Sequence, residues 1–281
     1  MLLNATQKRR DKTDGYKSDS KGGTVGFDAM VRDDLILGAA YTRADTNIKL
    51  KNDHKGDREK VYSNIYSIYG LYNLPYDNLF VKGVASYGDS RVKSKSQRVM
   101  SVAQNTAGYQ TTIGKYKSLS YNGQVMVSYN YSVPNTISAI PLVATPIAGL
   151  RYSNIDNKGY TETGTTDKNL IVKGKRYNTF NGMLGGRLSS SLNTGEVTLM
   201  PEFYAMVDYA FKNKTPAIDA RLQGMTNPYP ATAFRQTKLN FDLGLGLTVK
   251  HKMMEYGINY DTTIANKYFS QQGSLKVRVN F

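Results

Sequence analysis

The feature that most limits what this chain can fold into is a strict two-residue period at its end, where Leu275, Val277, Val279 and Phe281 alternate with Ser274, Lys276, Arg278 and Asn280. Successive side chains of a β-strand point to opposite faces, so this segment would show one apolar and one polar face. The period returns in Leu239, Phe241, Leu243, Leu245, Leu247 and Val249, set against Asn240, Asp242, Gly244, Gly246 and Thr248. That run exceeds an ordinary globular strand. Val197, Leu199, Phe203, Ala205, Val207, Tyr209 and Phe211 oppose Thr198, Glu202, Tyr204 and Asp208, with Pro201 as the local objection. Val25, Phe27, Ala29 and Val31 oppose Thr24, Gly26 and Asp28; Val125, Val127 and Tyr129 oppose Gln124, Met126 and Ser128; Leu150 and Tyr152 oppose Arg151. Residues 62–72 are tyrosine-rich on both faces and fix no register. No segment sustains a 3.6-residue period, so helices are expected to be scarce.

A mean hydropathy of −0.48, with no apolar run near the ~20 residues of a membrane helix, excludes a helical membrane protein. Transmembrane strands escape that test because only alternate residues meet lipid. Connections between the segments alternate in length. Short ones fall at Asp33-Asp34, Leu74 to Asn78, Asn193 to Gly195 and Lys250 to Lys252; long polar ones run roughly over 50–60, 90–113, 154–176 and 212–236. Short turns on one rim and long loops on the other describe an all-β, transmembrane up-and-down antiparallel barrel. The 22 tyrosines, with no tryptophan, suit headgroup-level girdles. The expected lipid face carries Phe27, Tyr129, Phe203, Leu243, Leu245 and Val279. The lumen is expected to carry Asp28, Gln124, Arg151, Asp208, Asp242, Lys276 and Arg278.

With no cysteine, the chain has neither disulfides nor thiolate chemistry, and two histidines, His54 and His251, leave little for a metal site. No metal, cofactor or catalytic residue is expected. The formal charge of +15, concentrated around Arg91, Lys93, Lys95, Arg98, Lys115, Lys117 and Arg151, admits an anionic partner. A single-strand nucleic-acid groove would interleave aromatics regularly, and none do, so no nucleic acid is expected. Lumenal carboxylates, Glu202 among them, are read as partners of lysine and arginine across the pore.

Gly22 to Asp28, followed by Leu37-Gly38-Ala39-Ala40-Tyr41, together with Ala148 to Tyr152 and Val277 to Phe281, resembles the autotransporter translocator domain of type V secretion. Ser63 to Tyr66 and Ala217 to Leu222 are similar to rickettsial surface antigens of the outer-membrane protein A type. The resemblance implies a barrel of about 12 strands in the bacterial outer membrane that anchors and passes an N-terminal passenger. It also implies outer-membrane lipid and lipopolysaccharide as surroundings, the barrel-assembly machinery as a partner, and Phe281 as the assembly signal. About eleven strands are legible, with residues 1–20 read as a loop or remnant of the first strand, residues 21–281 as the barrel and the first complete strand beginning near Thr24. A porin-like channel or a loop-displaying adhesin is the alternative.

Overall fold

The computed structural model describes residues 1–10, 15–99, 108–134, 138, 140–213, 217–232 and 237–280; the expectation for Phe281 lies outside them. Twelve antiparallel strands form the wall: β1 (Leu2–Arg9), β2 (Tyr16–Arg32), β3 (Leu35–Leu50), β4 (Arg58–Asn73), β5 (Leu79–Val99), β6 (Tyr109–Tyr129), β7 (Leu142–Asn157), β8 (Lys175–Ser190), β9 (Val197–Asn213), β10 (Leu239–His251), β11 (Met254–Ala265) and β12 (Tyr268–Val279). Each pairs with its sequence neighbour, and β12 pairs with β1 from Leu2↔Leu275 to Arg9↔Tyr268, which closes the ring. Closure leaves no free sheet edge where the eight-residue β1 runs, the condition a sheet must meet in lipid.

The strand count corrects the reading of eleven. Residues 1–20 hold all of β1 and the start of β2, so the first long strand begins at Tyr16 rather than near Thr24. β1 escaped detection because Leu2, Asn4, Thr6 and Lys8 on one face and Leu3, Ala5, Gln7 and Arg9 on the other give no apolar alternation. Three long links are also shorter than expected. β5 and β6 have 21 residues each, about 70 Å of strand at ~3.3 Å per residue, more than twice the ~30 Å hydrocarbon core. Their outer halves are polar on both faces because they stand clear of the hydrocarbon, and in a sequence such polarity reads as loop. Pro201 sits inside β9 opposite Leu247. The turn between β10 and β11 is Lys252-Met253 rather than Lys250 to Lys252, with His251 still paired to Met254 and Lys252 at φ 52°, the left-handed geometry of a two-residue hairpin; Asn266-Lys267 makes an equally short turn between β11 and β12 on the long-loop rim. Among the described residues the only helical element is the 3-10 turn Asn52–His54.

At the long-loop end a second sheet joins Tyr160–Thr161, Leu170–Val172, Ala217–Leu222 and Pro228–Thr232. Two of these strands lie in what the sequence shows as one long polar link.

Candidate functional site: lumen and outer face

On a closed ring, side chains that touch across an intervening strand belong to the concave face. Arg151 on β7 reaches Asp208 on β9 at 3.0 Å over β8, and Tyr204 on β9 donates to Asp261 on β11 at 2.9 Å over β10. Tyr69 on β4 donates to Asp28 on β2 at 3.0 Å over β3, and Arg278 on β12 pairs with the same carboxylate over the line of β1. These contacts define the lumen. Gln124 accepts from Arg151 Nε at 2.9 Å, Thr263 donates to Asp242 at 2.6 Å, and Asn181 donates to Asp208. Lys276 shares this face with Arg278 and is exposed. A polar cavity of about 360 Å³ is lined by Arg9, Arg151, Asn181, Asp208, Asp242 and neighbouring residues. Asp208 is 2% exposed, and burying its charge is tolerable because Arg151 and Asn181 occupy its oxygens.

The other face is apolar and open. Phe27, Tyr129, Phe203, Leu245 and Val279 are all exposed there, Phe27 at 75%, while Leu243 on the same face is half-buried. A folded chain in water would not leave so continuous a belt uncovered. The sequence did not reveal where this belt ends. Tyr41, Tyr66, Tyr87 and Tyr121 lie directly opposite one another on β3 to β6. Their ring centroids are 5.3, 6.4 and 5.3 Å apart in turn, and Tyr41 also donates to Asn64 at 2.7 Å. On β6 the outward positions from Tyr121 to Tyr129 span the nine residues of a tilted transmembrane strand, ringed at either end. Beyond the tyrosines the outward positions turn charged: Arg43 on β3, Arg91 on β5, Lys117 on β6. Reading parity outward from each tyrosine would have located this boundary.

Above the boundary the loop after β7 folds inward. Tyr160 stacks on Tyr116 of β6 at 4.8 Å, and the 5% exposed Glu162 pairs with Arg98 of β5 at 3.1 Å. Burial pushes the Tyr160 hydroxyl up to about 12. At the end of β7, hydrogen bonds from Lys158 and then Arg176 hold the Asp156 carboxyl below the ordinary carboxylate range.

A closed twelve-stranded ring with a charged lumen, an apolar outer belt and a tyrosine row at its boundary is a transmembrane β-barrel of the outer-membrane kind. The family model described as the autotransporter beta-domain matches residues 3–261, and the chain belongs to that family. It is 63% identical to outer membrane protein A of Rickettsia rickettsii over 278 residues, 99% of this chain and 12% of that protein. It is 33% identical to outer membrane protein B of Rickettsia typhi over 279 residues, 99% of this chain and 17% of that protein. The chain therefore spans less than a fifth of either relative. Among solved structures, the translocator domain of the autotransporter NalP from Neisseria meningitidis superposes with a TM-score of 0.75 at 17% identity, covering 100% of this chain and 86% of that one. The transport unit of AIDA-I from Escherichia coli gives 0.63 at 11% identity, covering 100% and 89%. The chain is thus an autotransporter beta-domain, similar in sequence to rickettsial outer-membrane proteins and in fold to autotransporter translocator barrels.

Proposed function

We propose that the lumen defined by Asp28, Arg151, Asp208, Asp242 and Arg278 is the hydrated path along which an extended passenger segment crosses the membrane, and that the belt centred on Leu245 holds the barrel afterwards. The observation that carries this is the pairing of each of these carboxylates with an arginine, tyrosine, threonine or asparagine across the wall. Such a wall presents satisfied carboxylates and dipoles to a passing backbone, so its acidic groups are not free to trap it. The same engagement argues against catalysis by these carboxylates, and we assign the chain no enzymatic step, cofactor or nucleic-acid partner. Its surroundings are outer-membrane lipid and lipopolysaccharide, and its assembly partner is the barrel-assembly machinery.

Because the chain has no cysteine, single cysteines report position cleanly. Val84 lies on the lumenal side of β5, 40% exposed, and Val125 on the outer face of β6, 53% exposed. With a cysteine-bearing passenger stalled during export, Val84→Cys should cross-link to it and Val125→Cys should not. Cross-links from both positions, or from neither, would remove the lumenal route.

A further inference from the structure

Above the tyrosine row, the outer face of β4, β5 and β6 is stacked with cations. Lys60, Lys93 and Lys115 lie directly opposite one another across the three strands. One residue pair further out Arg58 faces Lys95, and one further in Arg91 faces Lys117. Residues opposite in an antiparallel pair stand ~5 Å apart, and like charges there destabilise the sheet. No carboxylate relieves this: among the described residues none of the seven has an ion-pair partner. Cations on β2 and at the ends of β7 and β8 fare differently. At a similar height Asp156 takes both Lys158 and Arg176 at 2.9 and 3.0 Å, and on β2 Asp19 takes Lys17 at 3.4 Å. The neighbouring acids lie at its margins: Asp45 on β3 at the end of the Arg91–Lys117 row beyond Tyr62, Asp89 toward the tyrosines, and Asp156 opposite Leu119, already taken by Lys158 and Arg176.

Unrelieved repulsion stacked this densely, which Lys49 of β3 opposite Arg58 carries one strand further, calls for anions supplied from outside. The height says which. The rows begin four residues beyond the tyrosines on β5 and β6, about 10 Å higher once strand tilt is allowed for. That is where the headgroups of the outer leaflet lie, and lysine and arginine stems can reach down to them. We propose that the face formed by Arg58, Lys60, Arg91, Lys93, Lys95, Lys115 and Lys117 binds the phosphate groups of a phosphorylated glycolipid of the outer leaflet. Several cations at ~5 Å spacing suit a headgroup bearing two phosphates better than one carrying a single charge. The inference rests on reading the chain as a membrane barrel and adds to that reading a binding site.

The test places the 281-residue chain in neutral phosphatidylcholine nanodiscs with a few mole per cent of bis-phosphorylated lipid A, and measures lipid A retained per barrel and the melting temperature by heat-modifiable gel mobility. The unmodified chain should retain and be stabilised by bis-phosphorylated lipid A, and less so by its dephosphorylated form. The triple variant Lys60→Gln, Lys93→Gln, Lys115→Gln should lose about fivefold in affinity for each cation removed, from the typical contribution of a basic residue at an anionic surface. In purely neutral lipid the same variant should melt at the same temperature or higher, because the lysine stack no longer repels itself. That reversal of sign separates the site from a folding defect. Arg176→Gln, which touches a compensated cation, should leave lipid A retention unchanged. Equal retention by the parent and the triple variant, or displacement of the lipid by millimolar inorganic phosphate, would overturn the proposal. Failure of the parent to insert into nanodiscs at all would instead overturn the membrane reading beneath it.

Discussion

Leu245→Arg should separate the two faces of the barrel by a measurable free energy. Leu245 lies midway along β10, 60% exposed on the outer face, flanked across the strands by Phe203 and Tyr260. An arginine near the bilayer midplane on the lipid face of a barrel costs about 2–4 kcal/mol, which is roughly 30- to 1,000-fold in the folding equilibrium. The control is the same substitution on the same strand turned inward. Thr248 faces the lumen beside Gly257, whose missing side chain leaves ordinary van der Waals room at 3.5 Å from the Thr248 hydroxyl. Thr248→Arg should therefore cost less than about 1 kcal/mol, as charge in a hydrated lumen is already carried by Lys276. Denaturant titration of both variants in lipid vesicles, followed by heat-modifiable mobility and tryptic protection, gives the two numbers. Equal losses would mean that the facing of β10 is wrong. Gly244, which sequence reasoning alone would make a tolerant lumenal position, cannot serve as that control. A Cβ there would lie 2.1 Å from the Tyr204 ring, so Gly244→Ser should itself cost about 1–3 kcal/mol by overpacking.

The whole chain should need detergent or lipid to fold, and a stable β-type circular dichroism spectrum in plain buffer would count against the apolar belt as a lipid surface. Asp208→Leu should lower stability in micelles by about 1–3 kcal/mol, the range for leaving hydrogen-bonded partners unsatisfied, with part regained in the double variant with Arg151→Leu; additive losses in the cycle would show that the pair is not coupled. Tyr87→Ala removes a ring touching two others and should cost about 0.5–1.5 kcal/mol per ring contact beyond its lost area, read by the same denaturant titration. The depressed Asp156 carboxyl contributes stability that is present above about pH 4 and is lost as pH falls through its lower folded value. Proteolysis of the loop 158–174 should therefore quicken in acid, and Asp156→Asn should abolish that acid step.

How much of this architecture was readable depended on where each strand meets the lipid. β10 and β12 keep apolar residues at every outward position in the belt, so their period of two survives in the sequence. β5 and β6 lose it beyond Tyr87 and Tyr121, because water bathes both faces there and only pairing with the neighbouring strand records that the chain is still extended. The lumenal partners were harder still. Asp28 and Arg278 stand 250 positions apart and meet only because the ring closes. Composition announced the cations of β4 to β6, but not their register, and it is the register that sets Lys60, Lys93 and Lys115 shoulder to shoulder.

Closure also puts one ion pair to the test. Arg278 of β12 reaches over the line of β1 to Asp28 of β2, which accepts from Tyr69 as well. The two strands it joins meet only because the ring closes, and the charge of Asp28 is engaged from both sides. Asp28→Asn should lower stability in micelles by about 1–3 kcal/mol, because it weakens a charge-assisted contact and leaves the arginine short of a partner. The double variant Asp28→Leu with Arg278→Leu should lose less than the sum of its two single variants in the same denaturant titration. Additive losses would show that β2 and β12 do not depend on the bridge.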